Sequence, residues 1–320
     1  MIEIVRKLKA AGVLGINARN ANYVLEHNPR RLYPLVDDKV QCKARLKAHD
    51  IPVPEQLGVV RGQYQAGALT RRLRTLNAFA IKPATGTGGD GVLVTLARRG
   101  REWVGPGGRL LGISDIQYHV SGILAGMYSL GGQLDAALIE ALVRTDPALH
   151  PIAPEGVPDI RVIVFRGVPV MAMMRLPTRR SGGKANLHQG AIGAGVEMAT
   201  GQTLSAVMQS DIVSQHPDTG ESIVGFQVPG WKELVQLSAQ CFDAVPLGYL
   251  GVDLVLDEVH GPLVLELNAR PGLAIQIANR AGLKQRLDFV NGLENPEGMG
   301  CVKRAEFALS GMLPGPTGQA

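Results

Sequence analysis

The stretch GVDLVLDEVHGPLVLELNARPG, residues 251–272, sets carboxylates inside two apolar runs, and no other segment constrains the chain as much. The runs flank Glu258 to Gly261 in the pattern of an antiparallel hairpin. Side chains alternate along a strand, so Glu266 and Asn268 share one face while Leu263, Leu265 and Leu267 take the other. An even number of loop residues sets Asp253 directly opposite Glu266, and an odd number separates them. Two carboxylates and an amide oxygen are a donor set for Mg²⁺, whose remaining positions go to phosphates and water. A solvated acidic edge would account for Asp253 and Glu266 alone. It would not account for Asn268, Arg270 and the Pro271-Gly272 turn directly behind them.

With 320 residues and 45% hydrophobic content, the chain can form one large α/β domain or two or three lobes around a cleft. A net charge of +5 and a pI near 9.2 suit a site for anionic ligands. The clusters Arg71, Arg72, Arg74 and Arg98, Arg99, Arg101 read as solvated faces rather than a nucleic-acid interface. Cys42, Cys241 and Cys301 lack the spacing of a disulfide framework or a zinc site, which suggests a reducing, cytoplasmic setting. MIEIVRKLKAAG is not patterned as a signal peptide, and no apolar run reaches membrane-spanning length.

Residues 1–36 read as a helical lead-in, with helices near Ile2–Ala11 and Ala21–Glu26, the second ended by Asn28-Pro29. Asp37-Asp38-Lys39 caps a helix running to about His49. FAIKPA, TGTGGDG and VLVTLA then form a hairpin whose glycines leave backbone N–H groups free to surround phosphate oxygens, with Lys82 in reach. It is not a Walker loop, because no GK[ST] follows and the next element is a strand. A helix is expected over Ser114–Leu130, and DAALIEALV is a buried strand. DIRVIVFRGVPVMAMMRL is a second hairpin with Arg161 and Arg175 at its outer ends. The uncertain turn at Arg166-Gly167 leaves open whether they share a face. The polar loop 177–201, with Arg179, Asn186, His188 and Gln189, is of the functional kind. Trp231–Val245 reads as an amphipathic helix. Beyond Asn291 little periodicity remains, and the terminal GPTGQA is expected to be disordered.

Taken in order, DDK, IKP with its glycine loop, a strand carrying a glutamate, DIRV…R, KANLHQG and D…ELN-PG resemble the ATP-grasp superfamily and, within it, the RimK-like amino-acid ligases. GINARNANYVLEHNPR and NLHQGAIGAGVEMATG are most similar to the α-L-glutamate ligase-like proteins, and the likeness runs from about Leu14 to Leu283. The resemblance implies an α+β ATP-grasp fold, two lobes with antiparallel sheets gripping ATP. It divides the chain into a helical segment 1–36, an N-terminal lobe 37–142, a C-terminal lobe 143–290 and a tail 291–320. It further implies amide formation through an acyl phosphate. Lys39 and Lys82 would hold the phosphates, Gly86, Gly88, Gly89 and Gly91 would close over them, and Glu140 and Val143 on the hinge strand would border adenine. Arg161, Arg175 and Asn186 would serve the transferred phosphoryl, and Asp253, Glu266 and Asn268 would bind two Mg²⁺ ions, or Mn²⁺ in their stead.

RimK-type ligases carry a full lobe before the first of these lysines, whereas only a short helical segment precedes Lys39 here. The missing wall is expected from a second copy, from a protein partner such as a membrane protein, or from a large substrate. The expected activity is an ATP-dependent carboxylate–amine ligase acting on glutamate, another amino acid or a peptide end. The alternatives are an ATP-grasp kinase or a non-catalytic nucleotide-binding subunit of a membrane-associated system.

Overall fold

The computed structural model describes residues 2–86 and 88–315. The lead-in begins with α1 (Ile2–Ala10). A continuous helical run follows: α2 (Ile16–Arg19), a π-helical turn (Asn20–Val24) and α3 (Leu25–His27), starting five residues before the expected helix. It stops at Asn28, whose φ of −114° is the extended conformation a following proline imposes. After α4 (Pro34–Asp37), the Asp38 carboxylate accepts from the N–H groups of Val40 and Gln41 at 2.8 and 3.2 Å, and so caps α5 (Lys39–Lys47).

The chain divides into two compact units. One comprises the lead-in up to Val36, Cys42–Val53 and everything described from Arg144 onward; the other comprises Asp37–Gln41 and Pro54–Val143. The lead-in is thus no separate segment but part of the larger unit.

In the smaller unit, β1 (Gln56–Val60), α6 (Ala66–Leu73), β2 (Phe79–Pro83) and β3 (Leu93–Thr95) come first. A small sheet of β4 (Ala97–Arg99), β5 (Glu102–Val104) and β6 (Leu110–Leu111) follows, then α7 (Ile113–Leu124) and β7 (Ala137–Ala141). The main sheet is antiparallel with order β1-β7-β2-β3. Alternation sends Phe79 and Ile81 into a core with Leu73, Ile116 and Ile123, and leaves Lys82 on the other face. Helix α7 ends six residues earlier than expected. Gly126, at φ +82°, closes it with N–H bonds from Gly126 to Ile123 O and from Met127 to Gly122 O, at 2.9 and 3.1 Å.

The larger unit is built on a seven-stranded antiparallel sheet of order β12-β11-β10-β9-β8-β13-β14. Its strands are β8 (Asp159–Phe165), β9 (Val168–Leu176), β10 (Ile192–Val196), β11 (Thr203–Met208), β12 (Asp211–Val213), β13 (Tyr249–Asp257) and β14 (Gly261–Asn268). Around it lie α8 (Trp231–Ala244), α9 (Ala274–Asn279), α10 (Lys284–Asn291) and α11 (Cys301–Leu309). Ile160 and Val162 of β8 face Leu254 and Val252 of β13 in a fully buried layer. Helix α11 lies where the sequence shows little periodicity. Its Arg304, 1% exposed, donates to Ala239 O and Asp243 Oδ1 of α8 at 3.1 and 2.5 Å and lies over the Phe242 ring. A buried arginine at the centre of a helix breaks the apolar pattern by which the element would be recognised. The expected disorder of GPTGQA falls, except for Gly315, outside the described residues.

Candidate active site

Two bulged hairpins build the charged cluster of the larger unit. Between β13 and β14 the loop is odd, because Asp257 pairs with Gly261 across three residues. An odd loop alone would set Asp253 opposite Leu265. A one-residue bulge on β14 takes up Leu265, and Asp253 then pairs with Glu266. Between β8 and β9 the turn is the two residues Arg166-Gly167, both at positive φ. That turn alone would leave Arg161 and Arg175 on opposite faces. A bulge at Val170 makes Asp159 the partner of Arg175 and Met173 the partner of Arg161, so both arginines share a face. Asp253 lies on it too, directly across from Arg161.

The side chains meet accordingly. Arg161 grips Asp253 through two parallel bonds, Nε to Oδ1 at 2.7 Å and Nη2 to Oδ2 at 2.6 Å. Arg175 donates to Asp253 Oδ2 at 2.8 Å and, through Nε, to Asp159. The Asn268 amide donates to Asp253 Oδ2 at 3.2 Å. Burial by itself would raise the pKa of Asp253, which is 0% exposed, but the two guanidiniums outweigh it and hold the carboxyl well below the usual range. For Asp159 burial prevails over Arg175, and with the Asp253 charge adding to it pushes the carboxyl up to about 7. With Asp159 protonated, the charges of Asp253 and Glu266 balance those of Arg161 and Arg175.

Among the described residues no three His, Cys, Asp or Glu side chains converge as a ready metal cage. Asp253, Glu266 and Asn268 offer hard oxygen donors of the kind Mg²⁺ accepts alongside phosphate oxygens and water, so they fit that ion. At Asp253 a cation would take the place of a guanidinium N–H.

Asn28 clasps the open end of this hairpin. Its Nδ2 donates to Tyr249 O and Ala269 O at 2.7 and 2.9 Å, and its Oδ1 accepts from Tyr249 N at 2.8 Å.

Between β2 and β7 of the smaller unit the register is unbroken. Ala80 pairs with Glu140 and Lys82 with Leu138, so Lys82 and Glu140 are diagonal neighbours on one face. They form an ion pair of 2.5 Å, with Glu140 1% exposed and Lys82 14%. Both ends of the glycine loop are anchored. At the start the Lys39 N–H donates to Ala84 O at 2.9 Å, its ammonium donates to Gly86 O, and Thr85 N–H reaches Asp135 at 3.1 Å. At the other end His119 Nε2 lies 2.9 Å from Gly91 O, and Gly91 lies so close to Tyr128 that a Cβ would stand 2.5 Å from the ring. Gly88 and Gly89, between these anchors, have φ of +68° and +78°, and Thr87 lies outside the described residues.

The family model for sugar-transfer associated ATP-grasp proteins matches residues 18–292. The chain belongs to that family. Solved structures with a likeness to the chain include the ATP-grasp ligase PsnB complexed with a minimal precursor, at 15% identity and TM-score 0.43, covering 89% of this chain and 62% of that one. The D-cycloserine synthetase DcsG is 19% identical at TM-score 0.43, covering 90% of this chain and 73% of that one. A RimK domain ATP-grasp protein from Sphaerobacter thermophilus is 15% identical at TM-score 0.42, covering 77% and 64%. This chain therefore spans less than two thirds of PsnB. A comparison with curated proteins finds no match.

The ATP-grasp resemblance is met by the family match, while the association with sugar transfer was not anticipated. Within this ATP-grasp chain, Arg161, Arg175, Asp253 and Asn268 come together as one hydrogen-bonded cluster with Glu266 beside Asp253, and Lys82 meets Glu140. Val143 does not lie on the hinge strand, because β7 ends at Ala141. The Asn186 side chain accepts from His188 N–H at 3.0 Å, heading the 3₁₀ turn Leu187–Gln189. Sequence reasoning passed over Asp159, Asp135, His119 and Asn28. Only Asp159 left a signal, standing two residues from Arg161 on a strand where side chains alternate. No described helix is long and apolar enough to cross a membrane.

Proposed function

We propose that the chain is an ATP-dependent carboxylate–amine ligase working through an acyl phosphate. The observation that carries this reading is the placement of two arginines and the oxygen donors Asp253, Glu266 and Asn268 on one sheet face. Phosphoryl transfer asks a protein mainly for alignment and charge neutralisation, and this arrangement supplies both. A substrate carboxylate oxygen attacks the γ-phosphorus of ATP and the bond to the β,γ-bridging oxygen breaks, releasing ADP. The amine then attacks the acyl carbon, phosphate leaves with the C–O electron pair, and the nitrogen gives up its proton.

Lys39, Lys82 and the loop Gly86, Gly88, Gly89, Gly91 hold the triphosphate, and Glu140 orients Lys82 and borders adenine with Val143. Asp253, Glu266 and Asn268 would hold two Mg²⁺ ions, or Mn²⁺, which when bound neutralise and orient the phosphates. Arg161 and Arg175 present planar N–H forks to the oxygens on which charge develops.

The family's association with sugar transfer favours trying amino sugars beside amino acids and peptides as acceptors. Incubation with ATP, Mg²⁺ and such a panel, followed by mass spectrometry, separates the readings. An amide with equal ADP and phosphate supports the ligase, a phosphorylated acceptor without free phosphate indicates a kinase, and no ADP at all leaves a nucleotide-binding subunit.

A further inference from the structure

The polar loop after β9 is built rather than slack. Thr178 and Ser181, 1% and 5% exposed, lock it: Thr178 Oγ1 donates to Gly190 O and Ser181 Oγ to Thr178 O, both at 2.9 Å. With Asn186 heading the next turn, these bonds present Leu187 and His188. Leu187 lies over Gly193, where a Cβ would stand 2.8 Å from its Cδ2. Gly193 is itself the direct partner of Arg175 on one side and of Val207 on the other. The row Asp159, Arg175, Gly193, Val207 therefore continues the face that carries Asp253, and a spacing of about 4.8 Å per strand puts Val207 roughly 10 Å from Arg175.

At that end of the row a cavity of about 300 Å³ opens, walled by Leu187, Val207, Ala274 and Ile277. His188, Gln209 and Ser210 give it a polar edge, and no carboxylate, lysine or arginine lines it. The wall carrying Ala274 and Ile277 is held in place, because Asn279 Nδ2 donates to Ala172 O at 2.9 Å and Ala278 O accepts from Ser205 Oγ at 2.6 Å. The volume stands at the small end of ligand pockets, roughly 300–1,000 Å³, and four apolar side chains beside the polar edge of His188, Gln209 and Ser210 suit an uncharged aliphatic body of amino-acid size. The other end of the row, by contrast, carries Asp159 and borders Asp253, whose carboxyl oxygens can accept from an amine N–H.

We propose that this pocket receives the aliphatic body of the amine acceptor, an amino acid or peptide terminus with a side group the size of valine or leucine. The assignment rests on the ligase reading above. The probe is L-leucinamide, followed by saturation-transfer NMR on the full chain with Mg²⁺ and a non-hydrolysable ATP analogue. L-leucinamide should bind at least about tenfold more tightly than glycinamide, since even a single methylene in an apolar pocket discriminates by that much. Ala274→Phe, which fills the cavity, and Ser210→Trp, which closes its exposed rim, should each weaken it about tenfold or more. Equal binding of the two amides, tighter binding of glucosamine, or indifference to both variants overturns the pocket assignment. Product analysis with ATP, Mg²⁺, L-leucinamide and a panel of amino-acid and peptide carboxylates as acyl donors keeps the two readings apart. L-leucinamide binding that is lost in the variants but never leads to an amide defeats the ligase and leaves the pocket, whereas amide formation unaffected by either variant defeats the pocket and leaves the ligase.

Discussion

The two charged sites are assembled by different means. In the smaller unit Lys82 reaches Glu140 because an unbroken register carries two diagonal positions to one face. In the larger unit Arg161, Arg175, Asp253 and Glu266 share a face because each of two hairpins carries one residue more than regular pairing needs. The first arrangement follows from alternation alone. The second depends on a match between turn length and bulge, and it concentrates two guanidiniums on a carboxylate that has no access to water. In both sites the carboxylate is sealed and the cation keeps a slight exposure, 14% for Lys82 and for Arg175; the difference is that one cation faces Glu140 whereas two converge on Asp253.

The largest difference should come from removing the shared carboxylate. Asp253→Ala leaves two buried guanidiniums without their common partner and should cost about 3–5 kcal/mol in thermal or urea unfolding. A loss below about 1 kcal/mol would mean that the cluster is not what holds the two hairpins together.

Next comes Arg161→Lys, which keeps the charge and loses the paired bonds to Asp253. Turnover should fall on the order of a hundredfold with nucleotide affinity nearly unchanged, as when a donor aimed at developing charge is removed. A proportional loss of ATP binding would place Arg161 in the nucleotide site instead.

Glu140→Gln sharpens the comparison from the other side. It removes the charge but keeps an amide oxygen that can accept from Lys82, and only one cation loses a charged partner, so the cost should be about 2 kcal/mol, clearly below that of Asp253→Ala. Equal losses in the two variants would erase the distinction between the sites.

The smallest effect is expected at the turn that sets the parity. For Asp257, burial tends to raise the pKa, yet N–H groups of Arg144, Val259 and His260 and the His260 ring outweigh it and hold the carboxyl below its ordinary value. A depressed carboxyl stabilises the fold above its unfolded pKa, near 4, and that contribution is lost as pH falls through the folded value. Asp257→Asn should therefore cost about 1 kcal/mol at neutral pH and leave a flatter stability profile below about pH 4. Parallel acid profiles for the two proteins would remove the turn from the account.

Strands with clear alternation and helices with capping residues were legible, β2 and α5 among them, and so was the order of motifs that led to the ATP-grasp family. The pairing within the β13–β14 hairpin was legible in outcome but not in cause. An even loop was the condition for pairing Asp253 with Glu266, yet the loop is odd and the bulge at Leu265 corrects it. A bulge leaves no compositional mark, because Leu265 and Val170 are ordinary strand residues. The long-range partners were equally hidden. Asn28 meets Tyr249 across 221 residues, and no local pattern encodes such a contact.

That clasp has a consequence for how the sequence can vary. Asn28 touches only main-chain atoms of Tyr249 and Ala269, so its three bonds are indifferent to which side chains stand at those two positions. The demand on position 28 itself is strict, because two carbonyls need donors and one N–H needs an acceptor, all from a single short side chain. Aspartate would set negative oxygens against both carbonyls, and alanine would leave all three groups unsatisfied in a site that is 2% exposed. One asparagine, far from the acidic residues in the chain, thus carries the alignment of the strands that present them, and variation at the two residues it holds is free to serve the core or the substrate.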